Sequence, residues 1–200
     1  MKDKNFPNKI TMLRIIISVI ILVIMLLPWN MVNVSFKRFL VGGTIIIDSK
    51  MIIVGVLFII ASITDFIDGY LARKYKLVSD FGKVMDAIAD KLLINGLLIV
   101  LAADGYIHPV VPVIIILRDT VVNTLKMIAG NNDSAVGAIK TGKFKTAFLM
   151  IGVTLKLFGN FPFGLINIAV DDFFIITATL LSLISGFEYY NMFKKYLKKN

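Results

Sequence analysis

An all-α integral membrane protein, with six transmembrane helices and a short N-terminal interfacial helix, is the fold this sequence predicts. Three observations point there. Apolar residues make up 58% of the chain and the mean hydropathy is +0.84, well above the roughly 45–50% apolar content of soluble domains. The apolar residues gather in runs close to the ~20 residues a helix needs to cross a bilayer. Lysine and arginine collect at the ends of those runs, mostly on one side. At 200 residues the chain is expected to form a single domain, residues 1–200.

Residues 1–8 are polar and basic, with Phe6 and Pro7 as interfacial contacts, and form the lead-in. No small-residue cleavage site follows the first apolar run, so a removable signal peptide is not expected. The first span covers Ile10–Leu27 and closes at Pro28 and Trp29. Residues 30–50, with Lys37, Arg38, Gly42 and Gly43, form an outer loop. The second span, Met51–Tyr70, carries Asp65 and Asp68 to its inner end, and residues 73–81 form an inner loop. The third, Gly82–Ala103, brings in Asp86 and Asp90 and leaves through Asp104-Gly105. The fourth follows Pro109 to Ala129, the fifth runs Phe144–Phe158 and the sixth Phe173–Tyr190. There is no internal repeat, linker or low-complexity tract.

Charge decides the orientation. One side collects Lys2, Lys4, Lys9, Arg14, Arg73, Lys74, Lys76, Lys83, Lys140, Lys143, Lys145, Lys194, Lys195, Lys198 and Lys199; the other has Lys37, Arg38 and Lys50. Fifteen against three puts both termini and the four acids on the cytoplasmic side of the cell membrane. The net charge of +9 sits at span ends and not in an aromatic-interleaved groove, which argues against nucleic acid and for an anionic leaflet and anionic substrates. With no cysteine, disulfides, thiolate metal sites and a cysteine nucleophile are excluded. The one histidine, His108, lies in a turn far along the chain from the acids.

The informative stretch is Asp65-x2-Asp68-Gly69-x2-Ala72-Arg73-x8-Gly82-x3-Asp86-x3-Asp90. On helices these spacings put Asp65 with Asp68, and Gly82, Asp86 and Asp90, each on one face. Charge in so apolar a setting marks function. Four facing acids repel unless a cation neutralises them. Carboxylate oxygens without histidine or cysteine select hard ions. Four acids suffice for two such ions about 3.5–4 Å apart, an arrangement suited to displacement at phosphorus. Gly69 and Gly82 allow close approach of a base or phosphate to backbone, and Arg73 offers a fork for phosphate oxygens.

This string resembles the complete signature of the CDP-alcohol phosphotransferases, integral membrane enzymes that move a substituted phosphate from a CDP-alcohol to a second alcohol and release CMP. The resemblance implies that Asp65, Asp68, Asp86 and Asp90 hold two divalent cations, Mg²⁺ or Mn²⁺, that bind the donor diphosphate. It also implies that Asp68, Gly69, Ala72, Arg73 and Gly82 line the nucleotide, and that the enzyme is a homodimer. Asp90 is the expected general base. Pro7-Asn8-Lys9-Ile10-Thr11-x2-Arg14, Gly142-Lys143-x-Lys145-Thr146 and Gly186-Phe187-Glu188-Tyr189 resemble segments of bacterial phosphatidylglycerophosphate synthases. The donor implied is CDP-diacylglycerol, and the acceptor is sn-glycerol 3-phosphate. One departure is Ala87, which stands where such synthases often have proline.

Arg118 and Asp119 lie near the middle of the fourth span, and such a pair should face the interior or a wet cavity. The basic run Lys140–Thr146 opens the fifth helix, where free N–H groups favour an anion. Arg118, Lys143 and Lys145 are therefore candidates for contact with the acceptor phosphate, and the resemblance of the opening segment implies that Asn8, Thr11 and Arg14 are further candidate contacts of the acceptor. Alternatives are a relative that makes phosphatidylinositol phosphate, cardiolipin or phosphatidylserine, and a divalent-cation transporter. A transporter would place its ligands near the midplane and often shows inverted halves, neither of which this sequence presents.

Overall fold

The computed structural model describes residues 6–43, 45–75, 80–130 and 139–197. Six helices carry the fold: α1 (Phe6–Leu26), α2 (Ser49–Tyr75), α3 (Asp80–Ala103), α4 (Val110–Gly130), α5 (Lys140–Leu157) and α6 (Val170–Leu197). Helix α1 runs unbroken from Phe6 and takes Pro7 and Asn8 into its first turn, where a missing N–H costs nothing. No separate interfacial helix precedes it among the described residues, and residues 1–5 lie outside them. The inner loop expected over 73–81 shrinks, because α2 continues to Tyr75 and α3 begins at Asp80. Its remaining residues, 76–79, lie outside the described residues.

The expected outer loop holds an addition to the all-helical picture. Strands β1 (Arg38–Val41) and β2 (Ile45–Asp48) pair antiparallel, with Arg38 opposite Asp48. Gly42 and Gly43 turn between them at φ +62° and +76°, angles that few side chains tolerate. Ile45 and Ile47 are buried while Ile46 is exposed, the alternation of a one-sided strand. The buried pair rests on the α5–α6 connection, where a Cβ on Gly159 would stand 2.9 Å from Ile47 and 3.0 Å from Ile45, and one on Gly164 2.9 Å from Ile45. This end of the molecule also holds Lys156, bound to Asp171 at 2.7 Å and Asp172 at 2.6 Å. Lys156 thus joins Lys37, Arg38 and Lys50 at the end away from the four acids.

Helix α1 packs on α2 and α3, α4 on α6, and α5 on α6 and α2. Ile21, Val54, Phe58, Leu97, Leu98 and Leu149 form the centre of the continuous core. Gly152 lets α5 and α6 approach closely: a Cβ there would lie 3.0 Å from the Ile175 backbone nitrogen. The outside is apolar as well, with Leu13, Ile16 and Ile20 on α1, Ile63 and Phe66 on α2, and Phe173 and Phe187 on α6 all exposed. Patches of this extent mark an apolar environment rather than water.

Two helices are long and apolar enough to cross a membrane, Ser49–Gly69 with mean hydropathy 2.2 and Val170–Lys194 with 1.6. A shorter apolar run covers Ile10–Leu26. The other three helices miss that standard for a visible reason: α3 carries Asp86, Asp90 and Lys91, α4 carries Arg118, Asp119 and Lys126, and α5 carries Lys140, Lys143, Lys145 and Lys156. The charges that dilute these helices are mostly those that build the site.

Candidate active site

Three helices meet where the acids lie. Asp65 and Asp68 sit near the end of α2, Asp86 and Asp90 near the start of α3, and Thr11 and Arg14 in the first turns of α1, which touches both. Arg14 is 1% exposed. Its guanidinium is ion-paired with Asp65, donates to Asp86 Oδ1 at 2.8 Å, and reaches Asp68 Oδ2 at 3.4 Å. The Thr11 hydroxyl donates to the same Asp68 oxygen at 2.8 Å. Three carboxylates therefore converge on the Arg14 guanidinium, in a site where Asp68 is 5% exposed.

Asp90 differs from the other three. It is exposed and makes no hydrogen bond or ion pair among the described residues. Even so, it lies within electrostatic range of Asp65, Asp86, Arg14 and Lys145. Both its oxygens are uncommitted, which a proton acceptor requires.

The donor set suits a hard divalent cation: carboxylate oxygens only, with Asp68 Oδ1 buried and lacking any partner. An orphaned buried carboxylate oxygen is costly, and a cation at that spot would satisfy it. Among the described residues no group of three acids already stands at metal-holding distances, because the acids are spaced around the guanidinium.

A second charged group adjoins the first. Arg118 donates to Asp119 Oδ1 at 2.7 Å and to Ser185 Oγ at 2.7 Å. Lys145 Nζ donates to both Asp119 oxygens at 2.9 and 2.8 Å. The Arg118 guanidinium also lies over the Tyr189 ring, 5.4 Å from its centroid. Small residues leave room for it: a Cβ on Gly186 would stand 3.1 Å from Arg118 Cγ, and one on Gly142 3.6 Å from Nη2. The start of α5 is tied to α6 by a hydrogen bond from Thr141 to Glu188 and by the Ile139 N–H donating to the Tyr189 hydroxyl at 3.1 Å. From Arg118 an apolar groove of about 470 Å³ opens between α4 and α6, lined by Leu117, Val121, Leu183, Phe187 and Tyr190.

Not every expected residue takes the place foreseen for it. Lys145 and Arg118 come together, but Lys143 does not join them. Two residues apart on a helix is more than half a turn, so Lys145 is buried while Lys143 is exposed. Thr11 and Arg14 face the acids of α2 and α3 rather than the Arg118 group. Gly69 and Ala72 belong to α2 and Gly82 to α3, while the side chains of Asn8 and Arg73 lie outside the described residues. Ser185 escaped the sequence reading. Its signal is the pair Ser182 and Ser185, small polar residues three apart on one face of an apolar helix, the pattern of a close helix contact.

A family model for CDP-alcohol phosphatidyltransferases matches residues 4–184. The chain belongs to that family. It is similar to the CDP-diacylglycerol–glycerol-3-phosphate 3-phosphatidyltransferase of Bacillus subtilis (strain 168), 37% identical over 187 residues covering 94% of each chain. The protein of the same name from Rickettsia felis is 35% identical over 97% of this chain and 98% of its own. A third, from Mycoplasma pneumoniae, is 40% identical over 78% of this chain and 69% of its own. Asp65, Asp68, Asp86, Asp90, Arg118, Asp119 and Lys145 all fall within the matched region, with Ser185 and Tyr189 just beyond it.

Proposed function

We propose that this CDP-alcohol phosphatidyltransferase transfers the phosphatidyl group of CDP-diacylglycerol to sn-glycerol 3-phosphate, giving phosphatidylglycerophosphate and CMP. The observation that carries the reading is the juxtaposition of the two charged groups, with Asp90 in electrostatic range of both. An anionic group needing cations and a cationic group suited to a phosphate stand side by side, as a donor diphosphate and a phosphorylated acceptor require.

Asp90 takes the proton of the attacking glycerol hydroxyl as its oxygen bonds to the phosphatidyl phosphorus. The bond from that phosphorus to the CMP oxygen breaks, and its electron pair leaves with CMP. Asp65, Asp68, Asp86 and Asp90 are the residues that would hold two Mg²⁺ or Mn²⁺, whose chemistry when bound is Lewis-acid polarisation of the phosphate and relief of charge on the leaving group. Gly69, Ala72, Arg73 and Gly82 border the nucleotide. Arg118 and Lys145 hold the acceptor phosphate, sharing Asp119 as their counter-ion when the acceptor is absent. Lys143, at the exposed edge of α5, supplies long-range attraction. The groove between α4 and α6 gives the lipid chains a sideways path into the bilayer. The six helices span the cell membrane with both termini and the site on the cytoplasmic side, and the protein is a homodimer.

Purified protein incubated with labelled CDP-diacylglycerol and, separately, glycerol 3-phosphate, inositol phosphate, serine or phosphatidylglycerol is expected to yield labelled lipid and CMP with glycerol 3-phosphate alone. Lipid formed only with another alcohol would move the protein within its family. No lipid with any alcohol, together with Mn²⁺ flux into liposomes, would replace the enzyme with a transporter.

Arg118→Ala is expected to raise KM for glycerol 3-phosphate roughly 10–100-fold, the worth of a hydrogen bond to a charged group, with KM for CDP-diacylglycerol little changed. Steady-state kinetics with each substrate varied checks it, and an effect on the donor alone would remove Arg118 from the acceptor site.

A further inference from the structure

We infer that Arg14 is a built-in counter-cation, holding the acid cluster closed when no divalent ion is bound and giving up its carboxylates when one binds. The inference rests on the divalent site proposed above.

Geometry sets the role. Arg14 stands on α1 at the seam between the two acid-bearing helices and is paired with an acid from each, Asp65 on one side and Asp86 on the other. A guanidinium buried to this extent, with carboxylates for its charged contacts among the described residues, is not available to an incoming phosphate. Its fit is nevertheless incomplete. Arg14 Nε and Asp68 Oδ1 are both buried without partners, so one donor and one acceptor of the same cluster are left unsatisfied.

A planar fork directs its N–H groups in one plane and serves three carboxylates from two helices unevenly. A hard cation accepts oxygens from all directions. The weakest of the three contacts is the one to Asp68, at 3.4 Å, where Thr11 donates to the same oxygen at 2.8 Å. Asp68 is therefore the acid released first, and its idle Oδ1 the first oxygen offered. Because among the described residues no three acids stand ready for an ion, entry requires the guanidinium to withdraw. Arginine thus holds the metal-free fold together and lowers the affinity four bare acids would have.

The test compares wild type with Arg14→Gln, each as the full chain in detergent micelles, by two readouts: Mn²⁺ binding followed by electron paramagnetic resonance, and thermal unfolding with and without chelator. Removing the internal competitor is expected to tighten Mn²⁺ binding roughly 5–150-fold, the span of a coupling between two ligands. It should also lower the melting temperature in chelator and enlarge the rise that Mn²⁺ produces. Unchanged or weaker Mn²⁺ affinity in the folded variant would overturn the inference and leave the metal site standing. Absence of Mn²⁺ binding by wild type and variant alike would instead overturn the metal site itself. If Arg14→Gln does not fold, Arg14→Lys carries the test. Its single ammonium reaches fewer acids, so binding tighter than wild type is expected, and equal binding refutes the exchange.

Discussion

Asp90→Asn is expected to reduce turnover roughly 10²–10⁴-fold, the usual worth of a positioned general base, with the fold intact and CDP-diacylglycerol still bound. The asparagine keeps the shape and loses the proton affinity. Stability should hold because Asp90 is exposed and makes no hydrogen bond or ion pair among the described residues, so nothing is left unsatisfied by the change. Asp68→Asn makes the useful contrast. It alters a 5%-exposed group bonded to Thr11 and Arg14, and it should cost stability as well as turnover. Single-turnover rates, donor binding and thermal melts on the two variants separate the roles. Wild-type turnover in Asp90→Asn would remove the base assignment, and loss of donor binding would reduce Asp90 to a ligand.

That contrast between the acids lay beyond the sequence, although the set itself was legible. Four aspartates at helical spacing beside two glycines announce themselves locally, because the 3.6-residue period alone decides which of them share a face. Their partners do not. Arg14 meets Asp68 and Asp86 across 54 and 72 residues, and only packing of α1 into the α2–α3 seam brings them together. The same period that revealed the acids separates Lys143 from Lys145, so grouping them on one phosphate follows composition and not geometry. Six helices were read from apolar runs to within a few residues at most ends. The hairpin was legible too: apolar strands flank Gly42-Gly43, a turn signal, but four-residue strands are easily absorbed into a loop when spans dominate the reading.

Removal of divalent ions is expected to abolish turnover, with Mg²⁺ or Mn²⁺ restoring it. The reason lies in the charge of the chain itself. Among the described residues Asp65, Asp68 and Asp86 converge on the Arg14 guanidinium, and Asp90 adds a fourth negative charge within range. A diphosphate brought against this group meets repulsion on the order of 4 kcal/mol for each pair of unit charges about 4 Å apart at an effective dielectric of 20. Each 1.4 kcal/mol is about a tenfold loss of binding, so one uncompensated pair suffices to empty the donor site. Arg14 can offset a single charge, and only by leaving the acids it now holds. Dialysis against excess EDTA followed by assay with and without added ion checks the expectation, with a thermal melt to establish that the chelated protein is folded. Undiminished turnover in excess EDTA would mean that the acids bind the donor by some other charge balance, and the four-carboxylate site would lose its proposed purpose.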